Sequence, residues 1–395
     1  MSPVSHLECT RCSKQFEPGK VYNLCECGSP LAVRYNLKSL AAVDLRDRFA
    51  TRAPNLWRYR EVLPVSHEES IVSLGEGLTP LIHARRLGEK LGIPHLYLKD
   101  ESLNPTGSFK ARGMAVAVSM ARELGIDRIA VPSAGNAGGA LAAYAARAGI
   151  KAMVFMPEDT PLMNRLECVV LGAEVVLVPG NIKDCARAMR EHIGNDGWFD
   201  CSTLREPYRV EGKKTMAYEI YEQLHGRLPD VMIYPTGGGT GLVGLWKAFD
   251  EMQEMGWIER RRPAMIAVQS TGCAPIVRAF AQHAEKAEEW ADPKTSASGL
   301  RVPSAIGDFL MLRALRESRG GALAIEDHAM LEGVRELAET EGIITSPEGG
   351  ATLAAFRRLL ADGFIAGFET VVLFLTGSGY KYVESMEAIA RPSLH

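Results

Sequence analysis

The chain has 395 residues, 46% of them hydrophobic, and 45 Lys plus Arg stand against 48 Asp plus Glu for a formal net charge of −3. That is enough apolar material for a large core and, by length, for two or more domains, and it argues against disorder. The near-balanced charge offers no footprint for nucleic acid or an anionic membrane, and no apolar run is long enough for a bilayer span or a signal sequence, so a small ligand and the cytoplasm are expected.

The first feature along the chain is Cys9-x-x-Cys12, then Cys25-Glu26-Cys27-Gly28, with twelve residues between the pairs. A loop of that length folds back as a small hairpin and gathers four thiolates, which reads as a structural zinc ribbon over residues 1–36. Four sulfurs complete a tetrahedron and leave no open position, so the metal holds the fold and does no chemistry. Reduced cysteines in a ribbon that has lost its metal are the plainer alternative. Cys168, Cys185, Cys201 and Cys273 are scattered through apolar or helical stretches, as in a reducing compartment. A polar arm with Pro and Arg occupies residues 37–70.

Next come Ser73-Leu74-Gly75-Glu76-Gly77-Leu78-Thr79-Pro80-Leu81, a strand from Leu96 to Lys99, and the run Asn104-Pro105-Thr106-Gly107-Ser108-Phe109-Lys110. Asn-Pro and Thr-Gly make the turn, and Ala111 to Leu124 reads as a helix, so Lys110 stands at a helix start. There the first-turn amides and the positive end of the macrodipole disfavour an ammonium, which suits a lysine that reacts as a neutral amine.

From Leu96 onward, apolar runs alternate with amphipathic stretches: Arg128 to Pro132, Ala152 to Met156, Glu174 to Val178, Val231 to Tyr234, Met265 to Val268 and Val371 to Leu375. Near-continuous apolar strands separated by helices predict parallel sheets covered on both faces, an α/β doubly wound architecture. Ligands in such sheets bind past the carboxyl ends of strands. Four loops qualify: the one holding Lys110; Ser133-Ala134-Gly135-Asn136-Ala137-Gly138-Gly139; Thr236-Gly237-Gly238-Gly239-Thr240-Gly241; and Thr376-Gly377-Ser378-Gly379-Tyr380-Lys381. The second glycine loop opens a helix at Leu242 and offers unhindered amides for a phosphate. It also spells Gly239-x-Gly241-x-x-Gly244, a dinucleotide fingerprint. The next strand, however, ends Val268-Gln269-Ser270 without the acidic residue a ribose requires.

The lysine run resembles the pyridoxal-phosphate (PLP) motif of the fold-type II enzymes, and Ser73 to Leu81 looks like the threonine synthase family in particular. The likeness extends over nearly the whole chain. It implies a tryptophan synthase β-like fold with two doubly wound domains: a large one from 71–112 and 203–395, and a small one over 113–202. It further implies that Lys110 forms a Schiff base with the cofactor, that Asn136 meets its phenolic oxygen, and that Gly237, Gly238, Gly239, Thr240 and Gly241 seat its 5′-phosphate. Thr376 would meet the pyridine nitrogen. Substrate would be held by Ser133, Ala134, Gly135, Asn136 and Ala137 at its carboxylate and by Arg209, with Ser202 and Thr203, at its phosphate. Cys9, Cys12, Cys25 and Cys27 match a knuckle that some members carry. The expected reaction is O-phospho-L-homoserine plus water to L-threonine plus phosphate, in a homodimer typical of the family.

The match departs from the family at two loops. Ala134-Gly135-Asn136-Ala137 stands for the common Thr-Gly-Asn-Thr, and Gly237-Gly238-Gly239-Thr240-Gly241 for Gly-Asn-Ala-Gly-Asn. Each lost polar contact is worth about 1–3 kcal/mol, enough to retune substrate preference. A serine/threonine dehydratase, or a cysteate-synthase-like β-replacement enzyme acting on phosphoserine, is therefore the alternative. Glu348, in a helix-opening Pro347-Glu348-Gly349-Gly350, is expected to pack at the pocket rim.

Overall fold

The computed structural model describes residues 4–41, 45–194 and 196–390. β1 (Val4–Cys9), β2 (Gln15–Phe16) and β3 (Leu31–Tyr35) form an antiparallel ribbon in the order β2-β1-β3. Its alternate residues Leu7, Cys9, Leu31 and Val33 are buried, as the period of two in a strand requires. Tyr35 ties the ribbon to the body by donating to Glu211 at 2.6 Å.

β4 (Leu81–His83) and β5 (Leu96–Asp100) begin a larger sheet. The chain then leaves it to build a smaller parallel sheet from β6 (Arg128–Pro132), β7 (Lys151–Pro157), β8 (Glu174–Val178) and β9 (Phe199–Asp200), in the order β8-β7-β6-β9. β10 (Val231–Pro235), β11 (Ala264–Ser270), β12 (Gly321–Ile325) and β13 (Val371–Leu375) return to complete the larger sheet, β12-β11-β10-β13-β5-β4. Every pairing in the two large sheets is parallel except β4 with β5, where Ile82 lies opposite Leu98. β4, three residues following Pro80, is a short strand at the edge of this sheet.

The central apolar runs are buried for the reason their composition suggested: every residue of β10 and β13 is shielded, because helices cover both faces. β8, at the edge of the smaller sheet, departs from that expectation and is partly exposed. No helix among the described residues is long and apolar enough to cross a membrane.

The helix Lys110–Glu123 is buried from Ala111 through Ala121. It crosses Arg209–Gln223 closely enough that a Cβ at Gly212 would collide with the Arg112 carbonyl. Burying Arg112 there requires charge compensation. Its Nε donates to Glu101 at 2.6 Å and its Nη2 to Glu219 at 2.7 Å, while Lys99 donates to Glu219 at 2.8 Å. Two cations and two carboxylates thus cancel beneath the first turn of the helix that begins with Lys110.

Candidate active site

A cavity of about 490 Å³ opens where the carboxyl ends of five strands converge. After β5 come Phe109 and Lys110; after β6, Ser133 to Ala137; after β9, Ser202, Thr203 and Arg205; after β10, Gly237 to Gly241; and after β13, Thr376. Residues separated by more than 250 positions meet because parallel strands all present their loops on one side. Of the residues singled out from the sequence around cofactor and substrate, all line this cavity except Arg209.

Lys110 is pinned by the loop after β13. Phe109 N–H donates to the Thr376 carbonyl at 3.1 Å, and Ser378 N–H to the Gly107 carbonyl at 2.8 Å. Thr106 takes a left-handed φ of 63° to make the turn, and its carbonyl accepts from Lys381 at 3.0 Å. Lys110 Nζ sits 3.9 Å from the Phe109 ring centroid and has no hydrogen-bond partner among the described residues. Enclosure by protein, then the charges of Arg209 and Lys381 working against Glu348, bring its pKa down from 10.5 to about 7.

The glycine loop is an amide cradle. Gly239, at φ +83°, turns the chain into the helix Thr240–Glu254. A Cβ at Gly237 would strike the Gly299 carbonyl, at Gly239 the Met311 side chain, and at Gly241 the Tyr234 hydroxyl. Close packing thus excludes side chains, and the amides of Gly237, Gly238 and Gly239 meet no acceptor among the described residues. With the helix N-terminus behind them they form an anion seat.

Asn136 opens the helix Asn136–Ala148; its Nδ2 reaches the Tyr382 hydroxyl at 3.5 Å, and its buried Oδ1 has no partner. The Ser133 hydroxyl is engaged within its own loop, accepting from Gly138 N–H at 2.9 Å and donating to the Gly135 carbonyl at 2.9 Å. Arg209 lies behind the wall, 1% exposed, with Nη1 donating to the Cys201 carbonyl at 2.7 Å and with Nε and Nη2 unpartnered. Glu206 caps the same helix through the amides of Tyr208 and Arg209, and burial raises its pKa to about 7.

Several lining residues escaped sequence reasoning. Glu348 is not a rim residue: it lines the cavity, accepts from Gly299 N–H at 2.8 Å and from the Tyr382 hydroxyl at 2.9 Å, and leaves Oε2 without a partner. The Glu at a helix start was visible, but nothing local placed it beside Asn136. The stretch Ser298 to Ile306 lines the cavity too and carries neither period nor motif. Lys213 is one of three cations, with Arg209 and Lys214, in the first two turns of the helix Arg209–Gln223. It is fully buried, and its Nζ donates to the carbonyl of Phe109, beside Lys110.

Away from the cavity, the Sγ atoms of Cys9, Cys12, Cys25 and Cys27 all lie within 4.8 Å of one another, at 3.4 Å for Cys9–Cys27 and 3.6 Å for Cys12–Cys25. Sulfurs on a tetrahedral zinc stand about 3.8 Å apart, so the donor set fits that ion.

Residues 72–377 match the family model described as pyridoxal-phosphate dependent enzyme. The threonine synthase of Methanocaldococcus jannaschii is 36% identical over 374 residues, 94% of this chain and 92% of that one. That of Methanosarcina acetivorans is also 36% identical over 374 residues, covering 94% and 91%. Among solved structures, the processed form of threonine deaminase isoform 2 from Solanum lycopersicum superposes with a TM-score of 0.69 at 20% identity, over 87% of this chain and 96% of that one, a likeness of fold.

Proposed function

The chain belongs to the pyridoxal-phosphate-dependent enzyme family, among the threonine synthases, and from that premise we propose that it converts O-phospho-L-homoserine and water to L-threonine and phosphate. One observation carries the reading. Lys110, the Gly237–Gly241 cradle, Asn136 and Thr376 line a single cavity in a chain alike to threonine synthases over 94% of its length.

The cavity's chemistry suits PLP: a lysine amine with a depressed pKa, an amide seat for a phosphate, an unpartnered amide oxygen and a hydroxyl. When bound, PLP supplies an aldehyde for the lysine amine and a conjugated ring that accepts electrons from the substrate's α carbon. Gly237 to Gly241 would hold its phosphate, Asn136 its phenolic oxygen and Thr376 its ring nitrogen. A hydroxyl leaves that nitrogen free to stay unprotonated, which places more of the stabilisation on the surrounding contacts.

Lys110, whose amine is held well below its ordinary pKa by burial, takes the proton from the substrate's α carbon and returns one there at the end. Between these steps a proton leaves the β carbon, the γ-phosphate departs with the electrons of its C–O bond, a proton adds at the γ carbon to make the methyl group, and water adds its hydroxyl at the β carbon as its remaining proton is released. Ser133 to Ala137 border the substrate carboxylate. Arg209, with two unpartnered guanidinium nitrogens, draws the phosphate toward its wall. Thr203 stands beside it as a hydroxyl contact, while the Ser202 hydroxyl is already donated to Asp200 Oδ1.

Cys9, Cys12, Cys25 and Cys27 are assigned one structural Zn²⁺. None of the eight cysteines is in a disulfide, in keeping with the cytoplasm. A homodimer is the assembly we expect, and light scattering of the purified protein measures it. The exposed apolar side chains Leu162, Met163, Leu166, Val169 and Val170 on one helix are in keeping with it.

The reading is tested by incubating the holoenzyme with O-phospho-L-homoserine and following phosphate and threonine together. Matched release supports it. Ketoacid from serine or threonine, with no phosphate released from the ester, would place the enzyme with the dehydratases instead.

A further inference from the structure

The cysteine ribbon reaches the cavity wall. Asn23, two residues before Cys25, donates from Nδ2 to the carbonyl of Asp200 at 2.8 Å and to the carbonyl of Arg205 at 3.2 Å. Those two carbonyls bracket the segment after β9. Inside it, Asp200 Oδ1 accepts from Ser202 N–H at 2.9 Å and from the Ser202 hydroxyl, while Oδ2 accepts from Arg205 Nε at 3.0 Å. Leu204 is held at φ 59°, a conformation that persists in a branched residue only where its surroundings over-determine it. Gly307 makes the room, since a Cβ there would collide with Leu204 Cδ1. The segment is thus built from two sides, by the ribbon and by a buried carboxylate.

Its cation, Arg205, is one of two cavity-lining guanidinium groups with nitrogens left without an acceptor among the described residues, and the one held by a buried carboxylate. Arg301 is paired with Asp159, Lys183 with Glu289, and Arg209 is set behind the wall. Arg205 lines the cavity with Nε spent on Asp200, and its Nη1 and Nη2 have no acceptor among the described residues. Arg190, which also lines the cavity without a carboxylate partner among the described residues, is exposed and has no such anchor. A guanidinium fixed at Nε presents two parallel N–H groups, the geometry that grips a phosphate.

We propose that Arg205 is a specificity-determining residue that grips the phosphate of the substrate, and that Asn23 of the ribbon is the positioning residue that holds it in place. The ribbon then serves substrate recognition as well as stability. This deepens the reaction proposed above and rests on it for the identity of the substrate.

Two measurements on the holoenzyme test it: the dissociation constant of inorganic phosphate, by ³¹P NMR titration, and the KM for O-phospho-L-homoserine. Arg205→Gln should weaken both by about tenfold or more, the size of a charge-assisted hydrogen bond, with kcat changed far less. Arg205→Lys keeps the charge without the fork and should recover part of the loss. Asn23→Ala should weaken both by about threefold, and Asn23→Gln, which still donates, by less. The visible absorbance of the bound cofactor should be the same in all four variants, which a general loss of folding would not allow. Phosphate affinity and KM unchanged in Arg205→Gln would overturn the proposal. A wild-type enzyme that binds phosphate through Arg205 yet releases none from the ester would uphold it and sink the threonine synthase reading.

Discussion

Arg112 and Glu219 form a doubly hydrogen-bonded ion pair with no exposed side-chain surface, directly beneath the helix turn that carries Lys110. A buried pair of this kind adds little over an apolar alternative, but removing one partner strands the other charge in a low dielectric. Glu219→Gln should therefore lower unfolding stability by about 3 kcal/mol or more in denaturant titration. Lys99, which shares Glu219, would be stranded with Arg112. A loss below 0.5 kcal/mol would mean the network does not anchor this helix.

The amine of Lys110 sets a pH dependence whose sign follows from its environment. In the folded apoprotein its pKa lies at about 7, against 10.5 unfolded. Between those values the unfolded chain binds a proton the folded one does not, so this group's contribution to stability rises with pH across that window. Its unfavourable contribution is fully present below about pH 7. Trace acetylation of the apoprotein, read by mass spectrometry, should give Lys110 a titration midpoint near 7. Glu348→Gln, which removes the opposing charge, should move the midpoint lower, and Arg209→Gln should move it higher. A midpoint near 10 in the wild type would contradict the enclosed site.

The anion seat depends on close packing. Gly241→Ala would push a methyl group into the Tyr234 hydroxyl and so displace the helix start that faces the cavity. Overpacking of this kind costs roughly 1–3 kcal/mol. We expect a Tm lower by several degrees and cofactor affinity weakened by about tenfold or more, read by equilibrium dialysis. Retention of full affinity would place the phosphate elsewhere.

Metal analysis of the purified protein should find one zinc per chain, with Cys25→Ser losing most of it. Because such sites couple metal binding to folding, the ribbon should become protease-sensitive when a chelator strips the ion. Finding no stoichiometric zinc would leave four reduced thiols.

Much of this architecture was legible in the sequence. Arg128 to Pro132, Glu174 to Val178 and Val371 to Leu375 are strands to the residue, because each is a short run rich in Val, Ile and Leu set between helical stretches. β4, β9 and β12 were not seen: the first two have only three and two residues, and β12 lies in Gly-Ala-Leu-Ala-Ile, with little β-branched character. The cavity loops were legible where a motif marks a strand end, as at Lys110, Asn136 and Gly237. Glu348, Tyr382 and Ser298 to Ile306 were not, since what joins them is a non-local set of hydrogen bonds. Asn23 was hidden for the same reason, its partners lying 177 and 182 residues away.

The central claim is that Lys110 moves the proton of the substrate's α carbon while the γ-phosphate leaves and water adds at the β carbon. The measurement that tests it most directly is turnover of O-phospho-L-homoserine in ¹⁸O-labelled water, with Lys110→Ala in parallel. The account predicts threonine carrying the label in its hydroxyl, released together with unlabelled phosphate, and neither product from the variant. Label in the phosphate with homoserine as the co-product, or threonine formation that survives loss of Lys110, would contradict it.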